Sequence, residues 1–145
     1  AQAAVRAAVI EAARRLPDVP LFAGGKSFGG RMTSQAQAEE PLPRVVGLIF
    51  VGFPLHPAGK PSMKRADHLA AVQTPMLFLQ GTRDALADIA LMRKLVAKLG
   101  KRATLVQIAD GDHSFHVPAR TGRSDEDVRT EMLDAFAGWI VAVIS

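Results

Sequence analysis

Four short apolar runs, each followed by a segment of helical periodicity, constrain this chain more than any other feature. Residues 19–23, 44–53 (RVVGLIFVGF), 75–80 (PMLFLQ) and 104–108 read as buried strands bounded by Pro, Gly and polar residues. The run at 44–53 is apolar on both faces, as in a parallel sheet covered by helices. Helices are expected at 2–16, 27–38, 64–71, 86–99 and 124–143. In the first, Val5, Ala8, Val9, Ala12 and Leu16 recur at helical spacing. Such alternation implies right-handed crossovers and a parallel sheet. The expected fold class is α/β, a three-layer α/β/α sandwich with a mostly parallel sheet. A chain of 145 residues suits one domain, here spanning 1–145. Four strands make a narrow sheet with an exposed edge at 19–23, so further N-terminal strands are expected to belong to the intact protein.

Some function classes are excluded early. There is no cysteine, which rules out a thiolate nucleophile, a disulfide framework and a cysteine metal site. The net charge of +4 comes from lysines and arginines spread over several helical faces. No basic stripe carries interleaved aromatics, so a nucleic-acid partner is not expected. No run reaches the ~18 consecutive apolar residues of a membrane span. With no secretory pattern at the N-terminus, the expected location is cytoplasmic.

In parallel α/β sheets, ligands bind beyond the carboxyl ends of the strands. Three loops at such ends carry the polar residues of interest. Gly25-Lys26-Ser27-Phe28-Gly29 fits G-x-S-x-G between a strand and a helix. A sharp turn there strains Ser27 and projects its hydroxyl above the sheet. Gly25 and Gly29 are expected to let neighbouring elements approach the turn. The Phe28 amide, in the first helical turn, is a candidate oxyanion donor. A plain glycine-rich turn with a capping serine fits the same five residues. A phosphate loop does not, because its first glycine would fall on Pro20.

The second loop, Gly81-Thr82-Arg83-Asp84, offers a carboxylate that could orient a histidine, or else cap the following helix. Asp88 is the weaker rival, placed a turn inside that helix. The third, Asp112-His113-Ser114-Phe115-His116, offers an imidazole able to take and return a proton. His113 lies nearer the strand end than His116. The two histidines lack the helical context of a metal pair, and no metal or other cofactor is expected. The order Ser27, Asp84, His113, each after a different strand, is the chain order of a Ser-Asp-His triad on this architecture.

These stretches resemble the α/β-hydrolase superfamily, in its dienelactone-hydrolase-like region. Within it they are similar to the small α/β-hydrolase-domain proteins related to testis-expressed protein 30 and KANSL3. The carriers are AGGKSFGGRM at 23–32, GFPLHP at 52–57, LQGTRD at 79–84 and DGDHSF at 110–115. The resemblance implies an α/β-hydrolase fold, of which this chain would be the C-terminal two-thirds. It implies a serine hydrolase for a small carboxyl ester, thioester or lactone, in which Ser27 attacks, His113 shuttles the proton and Asp84 holds His113. It also implies a second oxyanion donor in a preceding segment. A non-catalytic binding or scaffold protein on the same fold is the alternative. Lys26, Phe53, Leu55 and His56 are candidates to contact substrate, although a rigid proline-held connection explains 53–57 slightly better. Trp139 is expected in the core.

Overall fold

A computed structural model describes residues 1–145. Its elements are α1 (Gln2–Arg15), β1 (Leu21–Lys26), α2 (Phe28–Glu39), β2 (Val45–Val51), a 3-10 segment (Lys64–Ala71), β3 (Met76–Gly81), α3 (Ile89–Leu99), β4 (Ala103–Ile108) and α4 (Asp125–Ile144). The strands pair in parallel in the order β1-β2-β3-β4, so β1 and β4 are the edges. No helix is long and apolar enough to cross a membrane.

Side chains alternate across a strand, so each central strand feeds two layers. Leu48, Phe50, Met76 and Phe78 join Val9, Ala36, Leu69, Met92 and Leu95 on one face. Ile49, Leu77 and Leu79 face the other way, against Met132, Phe136 and Trp139 of α4. This is the three-layer α/β/α arrangement. Phe50, Phe53 and Phe78 are fully buried and meet with centroids 4.8–5.9 Å apart, each contact contributing about 1 kcal/mol beyond its buried area. Trp139 meets Phe22 edge-on at 5.7 Å and covers Gly47.

Several boundaries differ from those expected. β1 runs from Leu21 to Lys26 rather than over 19–23, because Gly24, Gly25 and Lys26 continue the ladder opposite Ile49, Phe50 and Val51. Two consecutive glycines favour a turn locally, but tertiary pairing overrides that preference. β2 stops at Val51, and Gly52 then turns the chain with φ +72°. α3 starts at Ile89, not 86. Its N-cap is Asp88, whose side chain accepts from the Leu91 amide at 3.1 Å, so Asp88 is not inside the helix and Asp84 is not its cap. The segment 64–71 is a 3-10 helix. α4 begins with a full capping box, Ser124 with Asp127.

The 3-10 segment is pinned to α2. His68 Nε2 lies 2.6 Å from Ser34 Oγ, which itself donates to the Arg31 carbonyl at 2.6 Å. Burial, reinforced by Arg31 and partly opposed by Asp67, holds the His68 imidazole below its ordinary value of 6.5. As the pH falls below that value the unfolded chain takes up a proton that the folded protein resists, so stability declines on acidification. Urea unfolding at about pH 7 and about pH 5 should therefore show a larger loss in the wild type than in His68→Gln. Equal losses would mean that His68 does not contribute.

Candidate active site

The chain reverses sharply at Ser27. Its backbone sits at φ 51°, ψ −121°, a region sparsely populated by residues with a side chain and costing about 1–3 kcal/mol. Two features hold it there. The Ser27 amide donates to the Val51 carbonyl at 3.0 Å, and its carbonyl accepts from the Arg31 amide at 3.1 Å, beginning α2. In addition, the end of β1 and the start of α2 nearly touch. A Cβ on Gly25 would lie 2.9 Å from the backbone of Gly29 and Gly30, and one on Gly30 would lie 2.6 Å from the Gly25 oxygen. The pair that permits this approach is Gly25 and Gly30. Gly29, expected in that role, has nothing within 4 Å of its Cβ position.

Ser27 Oγ lies 2.8 Å from His113 Nε2, and His113 Nδ1 lies 2.8 Å from Asp84 Oδ2. An ionised carboxylate only accepts, so Nδ1 carries the proton and Nε2 presents a lone pair to the serine hydroxyl. The Asp84 carboxylate is wholly buried, while His113 is 24% exposed. The other Asp84 oxygen, Oδ1, accepts from the Leu86 amide at 2.8 Å.

The loops after β3 and β4 are stitched together, which fixes the Asp84–His113 spacing. Thr82 and Arg83 amides donate to the carbonyls of Ile108 and Gly111 at 3.0 and 2.9 Å. The Asp110 amide donates to Thr82 Oγ1 at 2.8 Å. Gly81 has no room for a side chain, since its Cβ would sit 2.2 Å from the Gly111 oxygen. Asp112 braces the histidine loop through one carboxylate oxygen, which accepts from the Ser114 and His116 amides at 2.9 and 3.0 Å. Phe115, at φ 64°, anchors it by packing on Ile108 and Val128. Sequence reasoning did not single out Thr82 or Asp112. The signal for Asp112 is an aspartate just after a glycine in a strand-exit loop, a residue type that accepts from the amide two residues on, as in an Asx turn.

The remaining expected residues separate into two groups. Lys26 is exposed and borders an open recess of about 430 Å³ between α4 and the sheet, floored by Val51, Leu79, Phe115 and Phe136. Phe28 is 59% exposed beside the serine, and its amide lies in the first turn of α2, where helical N–H groups lack an intrahelical acceptor. By contrast, Phe53, Leu55 and His56 are 0%, 0% and 2% exposed. Phe53 and Leu55 lie in the main core, and the His56 ring nitrogens are taken up by the Pro57 oxygen and the Asp88 amide. They do not line an open surface, because the loop after β2 folds inward beneath β3 and the 84–88 loop instead of over the serine. His116 pairs with Asp125 at 3.2 Å, and it is His113, not His116, whose ring meets Ser27. No three His, Asp or Glu side chains are grouped closely enough to hold a metal ion.

Residues 2–141 match the family described as "Alpha/beta hydrolase domain". This chain belongs to the α/β-hydrolase domain family. Among solved structures, this α/β-hydrolase chain is similar to a lidless α/β serine hydrolase from Xanthomonas campestris, at 28% identity and a TM-score of 0.60 over 79% of this chain and 48% of that one. A dienelactone-hydrolase-like protein from Klebsiella pneumoniae is 22% identical, with a TM-score of 0.64 over 94% and 58%. A monoacylglycerol lipase from Paleococcus ferrophilus shares the fold at 16% identity and a TM-score of 0.69, over 98% and 76%. The chain spans 48% of the Xanthomonas protein and 48% of an α/β serine hydrolase homologue from Coxiella burnetii, about half the length of either. The narrower likeness to the testis-expressed group rests on the sequence stretches alone.

Proposed function

We propose that this α/β-hydrolase chain carries the nucleophile, base and orienting acid of a serine hydrolase acting on a small carboxyl ester, thioester or lactone. The observation that carries the reading is the continuous line from Ser27 Oγ through His113 to Asp84, with both contacts at 2.8 Å. Ser27 Oγ attacks the substrate carbonyl carbon while its proton passes to His113 Nε2. The tetrahedral oxyanion that forms is met by the Phe28 amide at the positive end of α2. Collapse expels the alcohol or thiol, which takes the proton from Nε2 and leaves an acyl-serine. Water then attacks the acyl carbon, giving its proton to His113. The second collapse breaks the acyl–Oγ bond, returns that proton to Ser27 and frees the acid. Throughout, Asp84 holds Nδ1–H and stabilises the transient imidazolium.

The Xanthomonas relative is described as a serine hydrolase, which supports the same reaction class here. In this reading Lys26 contacts the substrate, and residues 1–145 act as one domain. The test is covalent. A fluorophosphonate probe should label the full chain once, and mass spectrometry of the labelled peptide should find the adduct on Ser27. A folded protein that stays unlabelled, or labels elsewhere, overturns the proposal and favours a binding role on this fold.

A further inference from the structure

We infer that His56 is a positioning residue for the Asp84 carboxylate, acting through the backbone of residues 84–88. The inference rests on the serine-hydrolase reading for its functional meaning, but its geometry is independent of it. Asp84 sits in a loop between β3 and α3 that has no regular structure of its own. Its first half is tied to the loop after β4, and its second half is tied to residue 56. The His56 amide donates to the Leu86 carbonyl at 3.0 Å, and the Asp88 amide donates to His56 Nε2 at 2.9 Å. Just upstream of these two anchors the Leu86 amide donates to Asp84 Oδ1 at 2.8 Å. The second Asp84 oxygen is then left pointing at His113 Nδ1, also at 2.8 Å.

The ring can serve as a fixed post because it is fixed in turn. Nδ1–H is committed to the Pro57 carbonyl at 2.8 Å, which leaves Nε2 with the lone pair that Asp88 needs. The segment leading to it is tied to β3 twice. The Gly52 amide donates to the Leu79 carbonyl at 2.9 Å, and the Phe53 amide to the buried Gln80 Oε1 at 2.5 Å. Phe53 and Leu55, fully buried in the main core, anchor the segment further. Asp88 transmits the constraint onward, since its own carboxylate caps α3 at the Leu91 amide. Removing the Nε2 acceptor takes away the protein partner of the Asp88 amide at this part-buried contact, and the 84–88 backbone loses its tie to the core. A shift of about 1 Å at a catalytic group can cost ~10²-fold in rate.

Two polar variants separate the alternatives without opening the core. His56→Gln can keep an acceptor near the Nε2 position. His56→Asn can keep the donor to Pro57 but loses the acceptor for Asp88. Two readouts apply to the full chain, the rate of fluorophosphonate labelling and the downfield NMR resonance of the His113 Nδ1 proton. His56→Asn should label ~10- to 100-fold more slowly and shift or broaden that resonance, with His56→Gln close to wild type in both. If His56→Asn keeps the wild-type rate and resonance, or if both variants lose thermal stability alike with the resonance unmoved, the inference is overturned. Should the wild type not label at all, the serine-hydrolase reading fails, and the NMR comparison still decides whether His56 holds Asp84.

Discussion

If the chain is the serine hydrolase proposed above, Asp84→Asn should lower its hydrolytic rate by about 10⁴-fold while leaving the fold in place. The argument turns on the two carboxylate oxygens having different duties. Oδ1 accepts from the Leu86 amide and Oδ2 accepts from His113 Nδ1. An asparagine can keep its carbonyl oxygen on Leu86, which preserves the loop, and must then turn its NH₂ group toward the imidazole. A donor at that point favours the tautomer with the proton on Nε2. The nitrogen facing Ser27, 2.8 Å away, can then no longer accept the hydroxyl proton. The measurement is hydrolysis of a p-nitrophenyl ester by the wild type and Asp84→Asn, beside urea unfolding of both. A folded variant with an unchanged rate removes Asp84 from the mechanism.

A large stability effect is expected at Gly25. Gly25→Ala places a methyl group 2.9 Å from the carbonyl carbon of Gly29 and the amide nitrogen of Gly30. Both are backbone atoms in the first turn of α2, so no flexible side chain can yield. The strand and helix must separate, straining the Ser27 turn and its bond to Val51. Overpacking of this kind costs about 1–3 kcal/mol, and more where backbone must move. We expect about 3 kcal/mol in urea unfolding, with loss of fluorophosphonate labelling. Gly29→Ala is the control, because its Cβ would meet nothing within 4 Å. It should be neutral or slightly stabilising, since alanine is the better helix former. Equal effects at the two positions would show that close approach does not hold the turn.

Much of the site was legible because chemistry was confined to three strand-exit loops. Ser27, Asp84 and His113 could be named from residue type, order and position after a strand, and the structure brings those three side chains into contact. Phe53, Leu55 and His56 are buried instead of lying on an open substrate surface, for an identifiable reason. A loop leaving a parallel strand can fold over the site or beneath its neighbours, and its composition suits either. Here the Phe53 amide found Gln80 and the His56 ring found Asp88, so the loop went inward. The expected strand stopped at residue 23, short of Gly24 and Gly25, because local preference does not reveal the pairing partner that extends β1.

The sequence by itself determined the alternation of strand and helix, and with it a parallel sheet whose strand ends gather the serine, aspartate and histidine. Those are properties of periodicity and residue type, which neighbours along the chain carry. Only the tertiary structure decided which glycine lets α2 meet β1, where α3 begins, and that a histidine in the core braces the Asp84 loop. Each of these depends on backbone groups from distant segments meeting within hydrogen-bond or van der Waals distance, and no local pattern records which of them will meet.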